Sequence, residues 1–428
     1  MRLIVLDPGH FHATLLQKDM YPEIAPRVAV YAPLGTELLD YLFRVSLFNS
    51  RAENPTKWEL DIHCSSQSFD ELLRDRAGDI VVFTGRNRGK IDRMLPALAA
   101  GLHVIADKPW IISSGDMPKL EQALDLAEKN GIAAYDIMTE RYEVTSEIQR
   151  ALVNTPEVFG EPVKGTAENP GVFASSIHHV MKGVAGVPLR RPSWFFDIVE
   201  LGEGLADVGT HVVDLVQWTL LPDQDIDYRK DIEVLDGRRW PLTLSREQFQ
   251  AVTGTSGFPP TLAPQVRDGQ FDYYCNNAVH YTLRGIHVKM DILWNWEAPP
   301  GTGDVYEAAF RGTKANVEIR QGAPEKYVPE LYVVPAEARA AVFAALKKKV
   351  DELQAHWPGL AISETANEAR LVIPDRFRVG HEAHFAQVAR RFLQYVKDPK
   401  SMPAWERGYM LAKYYVSTRG VELANQSQ

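Results

Sequence analysis

The first third of the chain alternates between short apolar runs and helical patterns. The apolar runs lie at 3–6, 28–31, 60–64, 80–84, 103–106 and 132–138. Most of them are almost continuously apolar, as strands are when both faces of their sheet are covered. Helical patterns occupy the intervals, at 37–48, 69–76, 90–100 and 114–129. This alternation predicts a doubly wound parallel α/β sheet over residues 1–138.

Beyond residue 140 the pattern becomes that of a mostly antiparallel sheet. Residues 286–296 alternate apolar and polar side chains, which is typical of an antiparallel strand with one packed face. Residues 305–310 and 315–319 flank Gly312-Thr313 and predict a hairpin. We expect an α+β domain over residues 139–428 with a helical C-terminal extension. Its predicted parts are a loop insertion at 222–272 and helices at 334–357, 381–397 and 402–424.

Composition narrows the classes of function. The net charge of −9 argues against a nucleic-acid partner, which would need clustered positive charge. No apolar run approaches the ~20 residues that span a membrane, and no signal peptide is evident. Cys64 and Cys275 are too few for a disulfide framework or a zinc site. We therefore expect a cytoplasmic protein with neither a membrane partner nor a metal.

The first strand runs into Asp7-Pro8-Gly9-His10-Phe11-His12. A dinucleotide-binding turn usually has the pattern G-x-G-x-x-G, of which only Gly9 is present. The turn nevertheless lies where the N-terminus of a helix can receive a phosphate. It is either a nucleotide site, with His10 and His12 as donors, or an ordinary strand–helix turn. The second strand is followed by neither an acid nor an arginine, so NAD and NADP stay open.

Two further segments carry candidate chemistry. Lys108 follows the fifth strand, and ligands bind at strand ends on this side of an open sheet. A solvated surface lysine is the alternative. Asp207, His211 and Asp214 are spaced i, i+4 and i+7, which places them on one face of a helix and suits proton transfer. The alternative is a helix start that Asp207 caps.

These motifs, in this order, resemble the glucose–fructose oxidoreductase / inositol dehydrogenase / MocA family. Its Glu-Lys-Pro corresponds to Asp107-Lys108-Pro109, and its D-x-G-x-H segment to Asp207, Gly209 and His211. Its Arg-aromatic pair corresponds to Arg141-Tyr142, and its F-x-G-T hairpin begins at Phe310. The resemblance covers about residues 1–320, and residues 320–428 extend beyond the common core.

The resemblance implies an N-terminal Rossmann domain that binds NAD, with NADP not excluded, and a carbohydrate substrate beside the nicotinamide. His211 would accept the hydroxyl proton, Lys108 would polarise the reacting oxygen, and Asp207 would orient the imidazole or bind a hydroxyl. Asp214 would support the helix. It also implies a homo-oligomer, dimer or tetramer. The expected cofactor contacts are Gly9, His10, Phe11, His12, Thr84, Asn87, Asp107 and Lys108.

Several other side chains are candidates for substrate binding. His178 and His179 face opposite ways on a predicted strand, and we favour His179 as the one in the cleft. Trp194 and Asp197 could supply an aromatic wall and a carboxylate for sugar hydroxyls, or merely a packed turn; Arg141 is a further candidate. His381 and His384 lack the zincin spacing, so a helix start near the pocket or plain surface is favoured over metal.

Three functions follow from these expectations. The preferred one is a dehydrogenase of a sugar, sugar derivative or glycoside. The second is an NAD-dependent glycosidase that uses transient oxidation, elimination and re-reduction with a bound cofactor. The third is a cofactor-binding sensor without catalysis.

Overall fold

The computed structural model describes residues 1–336 and 338–426. Its N-terminal part is a six-stranded parallel sheet in the order β3-β2-β1-β4-β5-β6. The strands are β1 (Leu3–Leu6), β2 (Arg27–Ala32), β3 (Glu59–Cys64), β4 (Ile80–Phe83), β5 (His103–Ala106) and β6 (Ala134–Asp136). The helices between them are α1 (His12–Leu16), α2 (Thr36–Ser50), α3 (Ser68–Asp75), α4 (Lys90–Ala99) and α5 (Met117–Asn130). The predicted doubly wound sheet is confirmed.

Element boundaries in this part agree closely with the sequence pattern. Strands β1 and β4 are buried along their whole length, in accord with their continuous apolar residues. The predicted helix at 114–129 begins as a 3₁₀ turn, in which the Ser113 side chain accepts from the Gly115 N–H. Strand order places the ends of β1 and β4 side by side, and a doubly wound sheet opens its ligand crevice at such a switch point.

The second sheet has ten strands along the path β10-β12-β13-β7-β14-β15-β16-β18-β17, with β11 paired to β12. Its first members are β7 (Val172–Met181), β10 (Ile232–Leu244), β11 (Val266–Arg267), β12 (Gln270–Leu283) and β13 (Ile286–Glu297). The others are β14 (Val305–Arg311), β15 (Ala315–Arg320), β16 (Glu330–Pro335), β17 (Ala361–Glu364) and β18 (Ala369–Val372). Two short strands, β8 (Gly183–Val184) and β9 (Val187–Pro188), pair separately. The predicted large, mostly antiparallel sheet and the hairpin of β14 and β15 are confirmed.

Two predictions for this region need correction. Strand β13 is antiparallel to β12 but parallel to β7, so the alternating segment is not purely antiparallel. Residues 222–272 are not a loop insertion, because they contain the whole edge strand β10 and α10 (Arg246–Thr253). Most side chains of β10 are exposed or half-buried. Its Gly237 lets the backbone of the C-terminal helix approach, since a Cβ there would lie 2.2 Å from the Gly420 carbonyl oxygen.

The remaining helices cover the sheets. They are α6 (Val144–Val153), α7 (Gly204–Asp207), α8 (Gly209–Leu220), α9 (Tyr228–Asp231), α11 (Arg339–Leu353), α12 (His381–Lys397) and α13 (Ala404–Gln426). The predicted helix at 334–357 is shorter because residues 334 and 335 end β16, and residue 337 lies outside the described residues. Helix α12 packs its Phe385 and Phe392 into the apolar core of the parallel sheet. Within 1–336 and 338–426, no helix is long and apolar enough to cross a membrane.

Candidate functional site

A cavity of about 770 Å³ lies between the carboxyl edge of the parallel sheet and one face of the second sheet. We call it the chamber. The β1–α1 turn, the end of β5, helices α7 and α8, strand β7 and the start of α12 all contribute to its wall. Its polar lining includes His10, His12, Lys108, Glu140, Ser176, His178, Asp207, His211, Asp304, Tyr306 and His381.

Lys108 and Asp207 meet at the centre of this lining. The Lys108 Nζ lies 2.5 Å from the Asp207 Oδ1, and both side chains are less than a tenth exposed. Lys108 reaches the chamber from the residue pair that follows β5, and its peptide bond to Pro109 is cis. The two residues are 99 positions apart in the chain, so the packing of α7 against the carboxyl edge of the parallel sheet brings them together.

His211 lies one helical turn beyond Asp207 and lines the same wall. Burial, together with the positive charge of Lys108, lowers its pKa well below 6.5, so the imidazole is neutral at neutral pH. Its Nδ1 is buried and has no hydrogen-bond partner among the described residues. The Asp207 carboxylate contacts Lys108 and makes no hydrogen bond to this Nδ1.

Asp214 and Arg141 form a separate, structural network. Arg141 Nε lies 2.6 Å from the Asp214 Oδ2, and its Nη1 lies 2.9 Å from the Glu406 Oε1. Lys413 Nζ adds a further contact to Asp214 at 3.5 Å. The predicted single face for Asp207, His211 and Asp214 is therefore wrong for its last member, which points away from the chamber. Arg141 is likewise not among the lining residues. Its guanidinium ties α8 to α13 through Asp214 and Glu406.

The two histidines of the first turn converge on Asp107. Its Oδ2 lies 2.9 Å from the His10 Nδ1 and 3.4 Å from the His12 Nδ1, while its Oδ1 lies 2.5 Å from the Lys90 Nζ. Burial opposes ionisation of Asp107, but Lys90 and both histidines hold its pKa well below the ordinary value. The three ligand atoms of His10, His12 and Asp107 lie within 4.8 Å of one another and could hold a metal ion. Lys90 already neutralises this carboxylate, and the expected absence of metal stays a prediction.

Trp194 lies at the switch point rather than in the chamber. A Cβ on Gly9 would be 2.8 Å from the Trp194 Cζ2. The indole Nε1 donates to the Glu37 Oε1 at 3.1 Å, and the Arg86 guanidinium stacks 5.5 Å from the ring centre. Its neighbours thus follow β1, β2 and β4, the strands whose ends border a dinucleotide crevice. Trp194 is not among the residues that line the chamber, so it does not form the expected aromatic wall there.

The residues of the crevice partly fit a nicotinamide dinucleotide. Thr84 Oγ1 is buried at the end of β4 with no partner within the part of the chain that the structure describes. Glu37 supplies the carboxylate that the tip of β2 lacks. The sequence pattern missed it because it lies in the first turn of α2, five residues beyond the strand. Bound cofactor would require the Trp194 indole to move from Gly9.

Two expected cofactor contacts have other partners. The Asn87 side chain donates to the Leu201 carbonyl at 2.7 Å, which fixes the loop before α7. The His10 backbone N–H donates to the Thr84 carbonyl at 2.8 Å, so it is not free for a phosphate. Asn87 therefore holds the loop, and His10 offers only its side chain to the chamber.

Of the two adjacent histidines on β7, His178 faces the chamber, whereas His179 was expected to do so. His178 lines the chamber, whereas His179 is 3% exposed and is not among the lining residues. The His179 Nδ1 lies 3.3 Å from the Asp304 Oδ1. Asp197 is also absent from the chamber wall, and its Oδ1 accepts from the Val199 N–H within a turn. The face of β7 depends on sheet packing, which alternation in the sequence leaves undecided.

The start of α12 adds groups that the sequence left unassigned. His381 lines the chamber and its Nε2 lies 3.6 Å from the Glu140 Oε1. Burial and the nearby charge of Glu143 raise the pKa of Glu140 to about 7. His384, one turn on, is buried, and this burial lowers its pKa to about 4. Glu140 is thus a missed candidate for proton exchange, since its carboxyl group changes charge near neutral pH.

Comparison with known proteins places the chain among oxidoreductases. Residues 148–425 match a family described as "Putative oxidoreductase C terminal domain". A "putative oxidoreductase" from Parabacteroides merdae is 41% identical over 100% of this chain and 98% of its own, with a TM-score of 0.96. A search of curated proteins gives no match.

More distant solved structures share the fold. Levoglucosan dehydrogenase, solved with NADH and levoglucosan, has a TM-score of 0.59 at 14% identity, over 100% of this chain and 98% of its own. GenD2 from gentamicin A biosynthesis, solved with NAD, has a TM-score of 0.58 at 15% identity, over 100% and 95%. The family match spans well over half of the chain. The protein therefore belongs to the family described as "Putative oxidoreductase C terminal domain".

Proposed function

We propose that the protein is a nicotinamide-dependent oxidoreductase of the glucose–fructose oxidoreductase / inositol dehydrogenase / MocA type. It acts on a hydroxyl-bearing carbon of a sugar, sugar derivative or glycoside. The observation that carries the proposal is the meeting of Lys108, Asp207 and His211 in one chamber beside the switch point of the parallel sheet. The distant fold relatives whose names include a sugar-like substrate and NADH support the choice of substrate and cofactor.

Each of the three residues has a separate role in this proposal. The Lys108 ammonium donates to the reacting oxygen and stabilises its alkoxide character. Asp207 holds Lys108 in place through the 2.5 Å contact and accepts from a neighbouring substrate hydroxyl. His211, neutral because its pKa is lowered, accepts the hydroxyl proton through an imidazole nitrogen. Reduction of a ketone uses the same groups in reverse.

The cofactor would supply hydride acceptance or donation at the carbon. Gly9 and Thr84 would lie against its phosphates and inner ribose, and Glu37 would accept from the hydroxyls of the outer ribose. An acidic partner at this place favours NAD, whose ribose has free hydroxyls, and an added phosphate on NADP would be repelled by Glu37. NADP is the alternative that the binding measurement separates.

The test measures cofactor first and chemistry second. Mass spectrometry of small molecules released from the purified, denatured protein should detect NAD, and calorimetry should give a tighter Kd for NAD than for NADP. Levoglucosan, free sugars and cyclitols then form the activity panel, followed through reduced nicotinamide absorbance. If neither nucleotide binds the native protein measurably, the proposal is wrong.

A second candidate is redox-neutral cleavage of a glycoside. It is favoured by the titratable groups beyond the three that hydride transfer needs, above all Glu140, whose pKa is about 7, and His178. Elimination beside a transient ketone needs a base for the C–H and an acid for the leaving oxygen. With aryl glycosides, this reaction releases aglycone without net reduced cofactor and exchanges solvent deuterium into the sugar. Stoichiometric reduced cofactor without exchange would exclude it.

Domain limits and assembly are proposed from the sequence expectations. We place the boundary between the two domains at residue 138, just after the last strand of the parallel sheet. A homo-oligomer, dimer or tetramer, is expected, and light scattering of the full chain tests it.

A further inference from the structure

A hydroxyl, an imidazole and a carboxylate form a continuous hydrogen-bonded chain on the wall of the chamber. Ser176 Oγ lies 3.0 Å from the His178 Nε2, and the His178 Nδ1 lies 3.0 Å from the Asp304 Oδ2. Ser176 and His178 are two apart on β7, so both point to the same face of the sheet. Asp304 directly precedes β14, which pairs with β7. All three line the chamber.

The hydrogen bonds of this chain have a defined direction. Burial lowers the pKa of His178, although Asp304 opposes the shift, so the imidazole is neutral at neutral pH. Burial opposes the ionisation of Asp304, but His178 and Lys182 hold its pKa well below the ordinary value. An ionised carboxylate only accepts, so the His178 Nδ1 carries the proton and the Nε2 accepts from the Ser176 hydroxyl. That tautomer is the one in which an imidazole can remove a proton from serine.

Two further contacts fix the Asp304 carboxylate, and this carboxylate in turn holds the His178 imidazole in its orientation. Lys182 Nζ lies 2.5 Å from the Asp304 Oδ2, and the His179 backbone N–H donates to its Oδ1 at 3.1 Å. The carboxylate can therefore hold His178 without rotating away. Lys182 also compensates the charge of this half-buried carboxylate.

Two unpartnered donors lie on the strands that pair with β7. Trp294 on β13 pairs with His178, and Tyr306 on β14 pairs with Ser176. The Trp294 Nε1 and the Tyr306 hydroxyl are both buried, and each is without a hydrogen-bond partner among residues 1–336 and 338–426. Both residues line the chamber. Donors that the protein leaves unused in the chamber that also holds the serine are suited to an oxygen that gains negative charge.

We propose that Ser176, His178 and Asp304 form a second catalytic site that hydrolyses carboxylic esters. The substrate class is an acylated carbohydrate; the carbohydrate part rests on the proposed function, whereas the ester chemistry does not. This site needs no nicotinamide.

The steps balance with water as the only co-reactant. Ser176 Oγ attacks the acyl carbon while His178 takes its proton, and Trp294 and Tyr306 donate to the carbonyl oxygen as it becomes negative. The carbon–oxygen bond to the sugar then breaks, and His178 returns the proton to the leaving alkoxide. Water, deprotonated by His178, attacks the acyl-serine, releases the carboxylic acid and restores the Ser176 hydroxyl.

The experiment uses the full chain and a fluorophosphonate probe, which reacts covalently with activated serines. Intact-mass and peptide analysis should find one phosphonyl group, on Ser176, and p-nitrophenyl acetate should be hydrolysed with an initial burst. Ser176→Ala should abolish labelling, while His178→Ala and Asp304→Asn should slow it by about 10²–10³-fold, as the loss of a general base does.

Ser175→Ala is the matched control, because Ser175 is the preceding residue on the opposite face of β7 and should leave labelling unchanged. Labelling should proceed without added nicotinamide, which separates this site from the oxidoreductase proposal. Wild-type protein that is not labelled at Ser176, or that labels equally fast after His178→Ala with an unchanged Tm, would overturn the proposal. Neither result bears on nicotinamide binding.

Discussion

The two sheets present their polar side chains in different ways. In the parallel sheet, β1 and β4 are buried throughout, and polar groups follow these strands only where they end, as Lys108 also follows β5. In the second sheet, β7 carries Ser176 and His178 in mid-strand, on a face that borders the chamber. A strand covered on both faces cannot hold an unpaired polar group without a large desolvation cost, whereas a strand lining a cavity can. Where functional side chains can lie along a strand therefore depends on whether each face of the sheet is covered or borders a cavity.

The largest expected effect comes from the parallel-sheet side. Lys108→Met should lower kcat/KM for the oxidised or reduced sugar by about 10²–10⁴-fold, the range for a positioned acid–base group, with cofactor binding retained. Steady-state kinetics and calorimetry with NAD measure the two properties. Lys18→Met is the control, because Lys18 also lines the chamber but pairs with Glu382 at 2.7 Å on the rim. Normal turnover of the Lys108 variant would remove this residue from the mechanism.

Replacement of Arg141 tests whether its buried charge stabilises the fold. Arg141→Ala leaves Asp214 and Glu406 buried without their guanidinium partner, which should lower the free energy of unfolding by about 3–5 kcal/mol. Chemical denaturation measures the change. Arg27→Ala is the comparison, because Arg27 and its partner Asp61 are both exposed and the pair should contribute about 0–1 kcal/mol. Equal stability losses in the two variants would contradict the structural role.

Replacement of His211 is expected to lower activity and to change how stability depends on pH. His211→Gln should lower kcat/KM by about 10²-fold. The pKa of His211 is well below 6.5 in the folded protein. At a pH between the folded pKa and 6.5, the imidazole therefore binds a proton in the unfolded chain but not in the folded protein. Stability contributed by the neutral imidazole is therefore present above about pH 6.5 and is lost as the pH falls.

Two measurements check this sign. The free energy of unfolding should fall from about pH 7.5 to 5.5, with a smaller slope in His211→Gln. The imidazole proton resonances of His211 should not titrate near pH 6.5, and in Lys108→Met their titration should move to higher pH because a neighbouring positive charge is gone. A wild-type titration of His211 at 6.5 contradicts the buried, neutral imidazole.

The smallest effect is expected at the switch point. Trp194→Ala removes one hydrogen bond to Glu37 and one contact with Arg86 that a dinucleotide would have to break. The Kd for NAD should therefore fall by about tenfold. Gly9→Val should act in the opposite direction, because its Cβ would meet the indole and block close approach of a phosphate. An unchanged Kd in Trp194→Ala would show that the indole does not lie in the path of the cofactor.

Prediction from the sequence succeeded where a local pattern decides the outcome. The strands of the parallel sheet follow from short apolar runs, most of them continuous, and α12 begins at His381 as expected. Strand β10 was missed because an edge strand carries polar residues that resemble a loop. Glu37 was missed because its carboxylate reaches the crevice from a helix turn, beyond the strand tip where an acid was sought.

The sequence by itself determined the doubly wound sheet, because a period of apolar residues is a local property of the chain. It also marked Lys108 and the Asp207–His211 pair, since motif spacing lies in contiguous residues. Tertiary structure alone decided that His178 rather than His179 faces the chamber, that Trp194 lies on Gly9, and that His178 meets Asp304. These contacts join residues far apart in the chain. Their geometry depends on strand register and on the packing of one sheet against the other, which no local pattern encodes.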